Sequence, residues 1–213
     1  DGLGENLFYV QGDKRIRFYP KTARTDSIPL KLTVQDSVGF SKDSLVWAKF
    51  PASERKPEKL SVEVNSGKSF YQNLNMKLTF NKPIANIQLD SLRLQADSVF
   101  IPVRKEMLSF ADSSMRDVLR IQAFIPDSID SDLITLVAAD STFQDIEGAV
   151  NEKPLQANYK KLERKELADG ISGEIRGAVG PLVVQLVNGK KEVAYESIVD
   201  KGNKFSFSLL EPG

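Results

Sequence analysis

The stretch Leu74-Asn75-Met76-Lys77-Leu78-Thr79-Phe80 places an apolar side chain at every second position. Side chains alternate across a strand, so this pattern gives an extended segment one buried and one wet face. It does not suit a helix, whose faces repeat about every 3.6 residues. Leu60, Val62 and Val64 alternate in the same way with Ser61 and Glu63. Shorter apolar runs follow at 30–34, 99–103, 118–121, 133–137 and 182–187, each bounded by turn-forming residues. Many short alternating segments separated by turns predict an all-β chain of the sandwich type. Helical signal is thin. Tyr159 to Ala168 is helix-compatible by composition and Arg104 to Met115 has room for one turn, but neither carries an apolar stripe.

Two zeros narrow the chemistry. The 213 residues include no histidine, which excludes Ser-His-Asp and Cys-His catalysis, histidine general bases and His-ligated metals. They include no cysteine, which excludes thiolate nucleophiles, thiolate zinc sites and disulfides. Lys+Arg and Asp+Glu are equal at 29 each, so no net charge points to nucleic acid or an anionic membrane, and the basic residues lie among acids without an aromatic platform. No apolar run approaches the roughly 18–20 residues of a spanning helix, and the start Asp1-Gly2-Leu3-Gly4-Glu5 is not a signal peptide. The strong strand Phe205 to Leu210 runs into the turn Glu211-Pro212-Gly213. The chain is therefore expected to be a piece of a longer protein, which makes missing targeting signals uninformative. Glu5 to Gly12 reads as native strand sequence.

Asp-Ser occurs nine times, at Asp26, Asp36, Asp43, Asp90, Asp97, Asp112, Asp127, Asp130 and Asp140. Both side chains bond to nearby backbone N–H groups, so these dipeptides are expected to end strands. Asp127-Ser128-Ile129-Asp130-Ser131-Asp132 brings three carboxylates together but lacks the glycine and the distal glutamate of a calcium loop, so turn chemistry and no metal is the expectation. Gly177-Ala178-Val179-Gly180-Pro181 lacks the Lys-Ser/Thr of a phosphate cradle and reads as a turn. The charged stretches Pro51 to Lys59 and Lys160 to Gly170 read as joints. They divide the chain into 1–52, 53–165 and 166–213, with a sandwich-sized unit in the middle.

The middle segment, about 58–162, resembles the bacterial Ig-like domain of envelope proteins. Leu74 to Phe80 runs into Asn81-Lys82-Pro83-Ile84, like that family's strand ending Phe-(Asn/Ser)-x-Pro-Ile. Phe143-Gln144-Asp145-Ile146-Glu147-Gly148-Ala149-Val150-Asn151 is similar to its Phe-x-Asp-x-x-Gly-x-x-Asn turn. Pro83 would stop sheet pairing, and Asp145 with Gly148 would form an Asx-type turn with a left-handed position. Gly170 to Gly177, with Phe205-Ser206-Phe207 and Glu211-Pro212-Gly213, resembles the start of a prealbumin-like or carboxypeptidase-regulatory-like β-domain, truncated here. In that setting 1–52 holds the C-terminal strands of a preceding Ig-like domain, with Asp36 to Gly39 as its Asp-x-x-Gly turn. The order of domains resembles large secreted or lipid-anchored proteins of Bacteroidota, which implies Ig-like sandwiches in tandem, the terminal ones partial.

Carboxylate pairs such as Asp145 with Glu147, or Glu163 with Glu166, could mimic the acid and base of a glycosidase, but the first lies in the family turn and the second in a charged joint, so solvated carboxylates are expected. Exposed aromatics are the better candidates for contact with a partner or a glycan: Trp47, Phe70 and Tyr71. Alternation puts Trp47 on the face of Leu45, which favours the core. Phe70 and Tyr71 are consecutive and must face opposite ways on a strand, leaving one exposed or covered by a neighbouring domain. The expected function is a non-enzymatic, extracytoplasmic structural or protein-binding segment of a surface or outer-membrane-associated lipoprotein. It needs no cofactor, binds a protein partner such as an outer-membrane β-barrel complex, and meets the membrane only through a lipid anchor outside this chain. The alternative is a glycan-binding or enzyme-accessory β-sandwich module.

Overall fold

The computed structural model describes residues 7–12, 15–22, 26–50, 58–177, 180–189, 191, 193–199 and 203–211. The described residues contain strands and three single 3-10 turns but no α-helix. No helix among them is long and apolar enough to cross a membrane. The chain opens with two antiparallel hairpins. Strand β1 (Leu7–Gln11) pairs with β2 (Ile16–Pro20), and β3 (Ser27–Gln35) pairs with β4 (Ser41–Lys49). Most of the linker expected at Pro51 to Lys59 lies outside the described residues.

The central unit carries the principal core. Its strands are β5 (Val62–Val64), β6 (Ser69–Phe70), β7 (Asn73–Phe80), β8 (Ile84–Ile87), β9 (Leu92–Ala96) and β10 (Val99–Pro102). They continue with β11 (Leu108–Phe110), β12 (Val118–Phe124), β13 (Leu133–Ala138), β14 (Phe143–Asp145) and β15 (Leu155–Lys161). Five strands form one sheet in the order β10-β9-β13-β15-β6, and four form a second in the order β11-β12-β7-β5; β14 and β8 make a separate pair. All pairings are antiparallel except β15 with β6. Leu78, Leu119 and Ile121 of the second sheet share one buried cluster with Leu94, Ile134, Leu136 and Tyr159 of the first, an arrangement compatible with a β-sandwich.

Strand β7 sets the register. Leu74, Met76, Leu78 and Phe80 are all buried, while Asn75 and Lys77 are exposed, as the alternation requires. Thr79 is only half-exposed because it lies between Glu63 of β5 and Val118 of β12. The helix-compatible composition at Tyr159 loses to tertiary context: 159–161 completes β15, and Tyr159 is packed into the core. The single turn allowed near Arg104 is the 3-10 turn Lys105–Met107.

Beyond a 3-10 turn at Arg164–Glu166, β16 (Ala168–Glu174) pairs with β19 (Lys204–Leu210), and β17 (Leu182–Val187) pairs with β18 (Val193–Val199). Two glycines let β16 lie close to β19. A Cβ on Gly170 would sit 2.1 Å from the Phe207 carbonyl oxygen, and one on Gly173 would sit 2.7 Å from the Phe205 ring. Apolar side chains such as Val183, Val187 and Ile198 remain exposed on these hairpins.

Candidate functional site

The turn after β14 is built around Asp145, which alternation puts on the buried face of the strand with Phe143. The Glu147 and Ala149 N–H groups donate to Asp145 Oδ1 at 2.9 and 2.8 Å, and Gly148 takes φ +87°, so the expected Asx-type geometry is present. Pro83 separates β7 from β8, and Lys82 just before it is buried. Its ammonium lies 3.1 Å from Asp145 Oδ2 and 2.8 Å from Glu147 Oε2 and donates to the Glu58 carbonyl. Burial alone would pull Lys82 down, but the hydrogen bonds to Glu147 and Asp145 and their charges outweigh it and hold the ammonium above its ordinary range. Asp145 and Glu147 are thus consumed by one lysine, and Asp145 is closed to any substrate.

Glu163 and Glu166 are also locally engaged. Glu166 accepts from Lys160 Nζ at 2.7 Å and from the Glu163 N–H at 2.9 Å, while Glu163 pairs with Lys165. The Lys160 hydrogen bond, then the one from the Glu163 backbone, hold the Glu166 carboxyl below its usual range.

The acidic loop at 127–132 borders a cleft of about 330 Å³ with Lys161, Leu162, Glu163 and Arg164. Its backbone turns inward around a cation of the protein's own. Lys161 Nζ donates to the carbonyls of Ile129 at 2.5 Å and Pro126 at 3.1 Å. Among the described residues, no group of three or more carboxylates is placed to hold a metal ion.

The three aromatic candidates are not brought together. Trp47 is 60% exposed and Leu45 64%, which overturns the expectation that their shared face enters a core. The reason is topological: β3 and β4 pair only with each other, and no second sheet covers them among the described residues. Phe70, at the end of β6, is buried in the central core, and Tyr71, in the bend that follows, is half-buried. The Tyr71 hydroxyl donates to Asp127 Oδ2 at 3.0 Å, and its backbone N–H donates to Glu211 Oε1 at 2.9 Å. Glu211 in turn donates its N–H to the Tyr195 hydroxyl at 2.9 Å, so Tyr71 ties the central unit to the last hairpins.

A second cleft, of about 360 Å³, escaped the reading of the sequence. It runs between β8 and β11 and is lined by 85–87 from one strand and 108–110 from the other, with Leu119 and Arg116 among its walls. Arg116 has a left-handed backbone, φ +49°, which a long side chain rarely adopts. It is clamped there because its N–H donates to the Asp112 carbonyl and its own carbonyl accepts from the Ile84 N–H. The guanidinium lies 4.6 Å from the Phe110 ring centre and 5.6 Å from that of Phe8. Nε is buried without an acceptor, and burial pulls Arg116 below its ordinary value. Nothing periodic announces such a site: the signal is a basic residue beside Asp112-Ser113-Ser114 in a turn, a common surface pattern.

The chain has no match among protein-family models, curated proteins or solved structures.

Proposed function

We propose that this chain is a non-enzymatic structural and protein-binding segment of an extracytoplasmic, surface or outer-membrane-associated lipoprotein. In this reading an Ig-like sandwich at 53–165 joins the end of a preceding Ig-like domain at 1–52 to the start of a prealbumin-like domain at 166–213. The partner is a protein, with an outer-membrane β-barrel complex as the leading class, and the lipid anchor lies outside this chain. The observation that carries the reading is the β3–β4 hairpin. It exposes Leu45 and Trp47 on one face of a two-stranded ribbon, Val34 and Val46 on the other, and Phe40 at the turn. Two strands alone are marginal in water, so apolar side chains left uncovered on such a ribbon favour burial against a partner. By contrast the paired carboxylates of the central unit are spent on lysines.

The test is affinity purification of the full-length parent from its native envelope, with and without Trp47→Ala. The expected result is a stoichiometric protein partner that Trp47→Ala depletes while the melting temperature stays unchanged. A glycan array gives the opposing outcome. Reproducible micromolar glycan binding lost on Trp47→Ala, with no protein partner, would replace this reading with the glycan-binding one.

A further inference from the structure

The cleft between β8 and β11 is bounded by strand edges. Three consecutive residues of each strand line it, and since side chains alternate, an unbroken run means that the backbone itself is at the wall. Strand β11 pairs only with β12, and β8 only with β14. The hydrogen-bonding phase of β11 follows from its end. The Ala111 N–H donates to the Val118 carbonyl at 2.9 Å. Hydrogen-bonded pairs alternate along an antiparallel ladder, so Ser109 also faces β12, and Leu108 and Phe110 turn their backbone groups to the outer edge. The Leu108 N–H is taken by the Lys105 carbonyl, which leaves the Leu108 carbonyl and both backbone groups of Phe110 facing the cleft.

Charge selects the occupant. The lining includes two cations, Lys105 and Arg116, and no acid, in a chain whose charges balance overall. Among the described residues neither cation has a carboxylate within ion-pair distance. We infer that this cleft binds an extended peptide segment with acidic side chains, which adds as a strand to the outer edge of Leu108–Phe110 and sets its carboxylates against Lys105 and Arg116. Main-chain pairing supplies the attachment and the two cations supply selectivity, the division of labour in β-strand addition. The inference rests on the protein-binding reading above and names the chemistry of one partner segment.

The probe is acetyl-Val-Glu-Val-Glu-Val-amide, titrated into the 213-residue chain and followed through backbone amide resonances. Binding should perturb amides at 85–87 and 108–111 and slow exchange of the Phe110 N–H about tenfold. The Gln-for-Glu peptide should bind at least about fivefold more weakly, as expected when charge-assisted contacts become neutral ones. A peptide methylated on its backbone nitrogens should not bind. Arg116 holds its loop, so the protein variant is Lys105→Gln at an exposed position; it should weaken the acidic peptide about threefold or more and leave the Gln peptide unaffected. No perturbation at these amides, or equal binding by the Gln or methylated peptide, overturns the inference. If the peptide fails while the native parent still captures its partner, only this cleft is wrong. Failure of both removes the protein-binding reading as well.

Discussion

Asp36 and Asp145 hold the same turn with the same atoms. Oδ1 of Asp36 accepts from the N–H groups of Val38 and Phe40 at 3.0 and 2.9 Å, and Oδ1 of Asp145 accepts from those of Glu147 and Ala149 at 2.9 and 2.8 Å. The glycine three residues on takes φ +89° in one case and +87° in the other. Even the preceding glutamine repeats: Gln35 and Gln144 each donate Nε2 to that glycine's carbonyl. The match is one of local turn chemistry: β3 and β4 pair with each other across the Asp36 turn, whereas β14 pairs with β8.

The two turns differ in what lies behind them, and this separates their mutational costs. Asp145 also neutralises the buried Lys82, whereas Asp36 is exposed and its turn is local. Asp145→Ala should therefore cost about 3–5 kcal/mol, the usual penalty for stripping one partner from a buried ion pair. Asp36→Ala should cost about 0.5–2 kcal/mol, as for loss of a capping side chain. Urea denaturation of both variants checks this, and equal costs would mean that Glu147 alone suffices to neutralise Lys82.

Strand β7 offers the simplest test of the core. Leu78 is fully buried between β5 and β12, so Leu78→Ala should lose about 2–5 kcal/mol from transfer and cavity contributions. A loss below about 0.5 kcal/mol, the level of a surface change, would show that the strand or its register is misplaced.

The same strand shows what was legible in the sequence. Where both sheets are present, as around Leu78 and Ile121, alternation alone identified the buried face. It failed at Trp47, because alternation says which residues share a face and not whether a second layer covers that face. The Asp-Ser dipeptides mark turns at Asp36, Asp97 and Asp112, but Asp43 lies inside β4, where Lys31 and Thr33 engage it across the hairpin. Lys82 falls at the variable position of the Phe-(Asn/Ser)-x-Pro-Ile pattern, which carries no information on its burial. Its burial depends on Asp145 and Glu147, which are distant in sequence, and no local pattern encodes that meeting. Arg116 was missed for the same reason, since its cleft exists only once β8 and β11 face each other.

Tyr159 contributes to alkaline behaviour. Its hydroxyl is buried in the core without a hydrogen-bond partner, and burial pushes its pKa up to about 12 from an ordinary value of 10.0. Above pH 10 the unfolded chain releases this proton while the folded one keeps it, so the unfolded state binds fewer protons and stability falls until about pH 12. Lys82 adds to the loss. Its raised pKa means a contribution fully present below 10.5 that disappears as pH rises through the folded value. Tyr159→Phe should be neutral to stabilising by about 1 kcal/mol at pH 7, because it removes an unsatisfied buried group. It should also flatten the loss that begins at pH 10 while leaving the part due to Lys82. Chemical denaturation across pH 8 to 12 reads both effects, and an unchanged alkaline profile would place the Tyr159 hydroxyl in contact with water.

The acidic loop at Asp127, Asp130 and Asp132 should ignore calcium. A calcium ion needs about 6–8 oxygens, many of them backbone carbonyls, and here the carbonyls of Pro126 and Ile129 already point at the Lys161 ammonium. Binding a divalent ion would bring it against that ammonium, whereas the carboxylates themselves are solvated and their mutual repulsion is screened. If the loop did bind calcium, a hundredfold excess over the dissociation constant would stabilise the fold by about 2.7 kcal/mol. For a unit of roughly 100 residues, at about 4–8 °C per kcal/mol, the midpoint would rise by about 11–22 °C. The expected shift in a thermal scan is none. Lys161→Met should destabilise by about 1–3 kcal/mol, because two half-buried carbonyls lose a charged donor. A calcium-dependent rise that Asp130→Asn abolishes would show that the ion displaces the lysine and would make this loop a metal site.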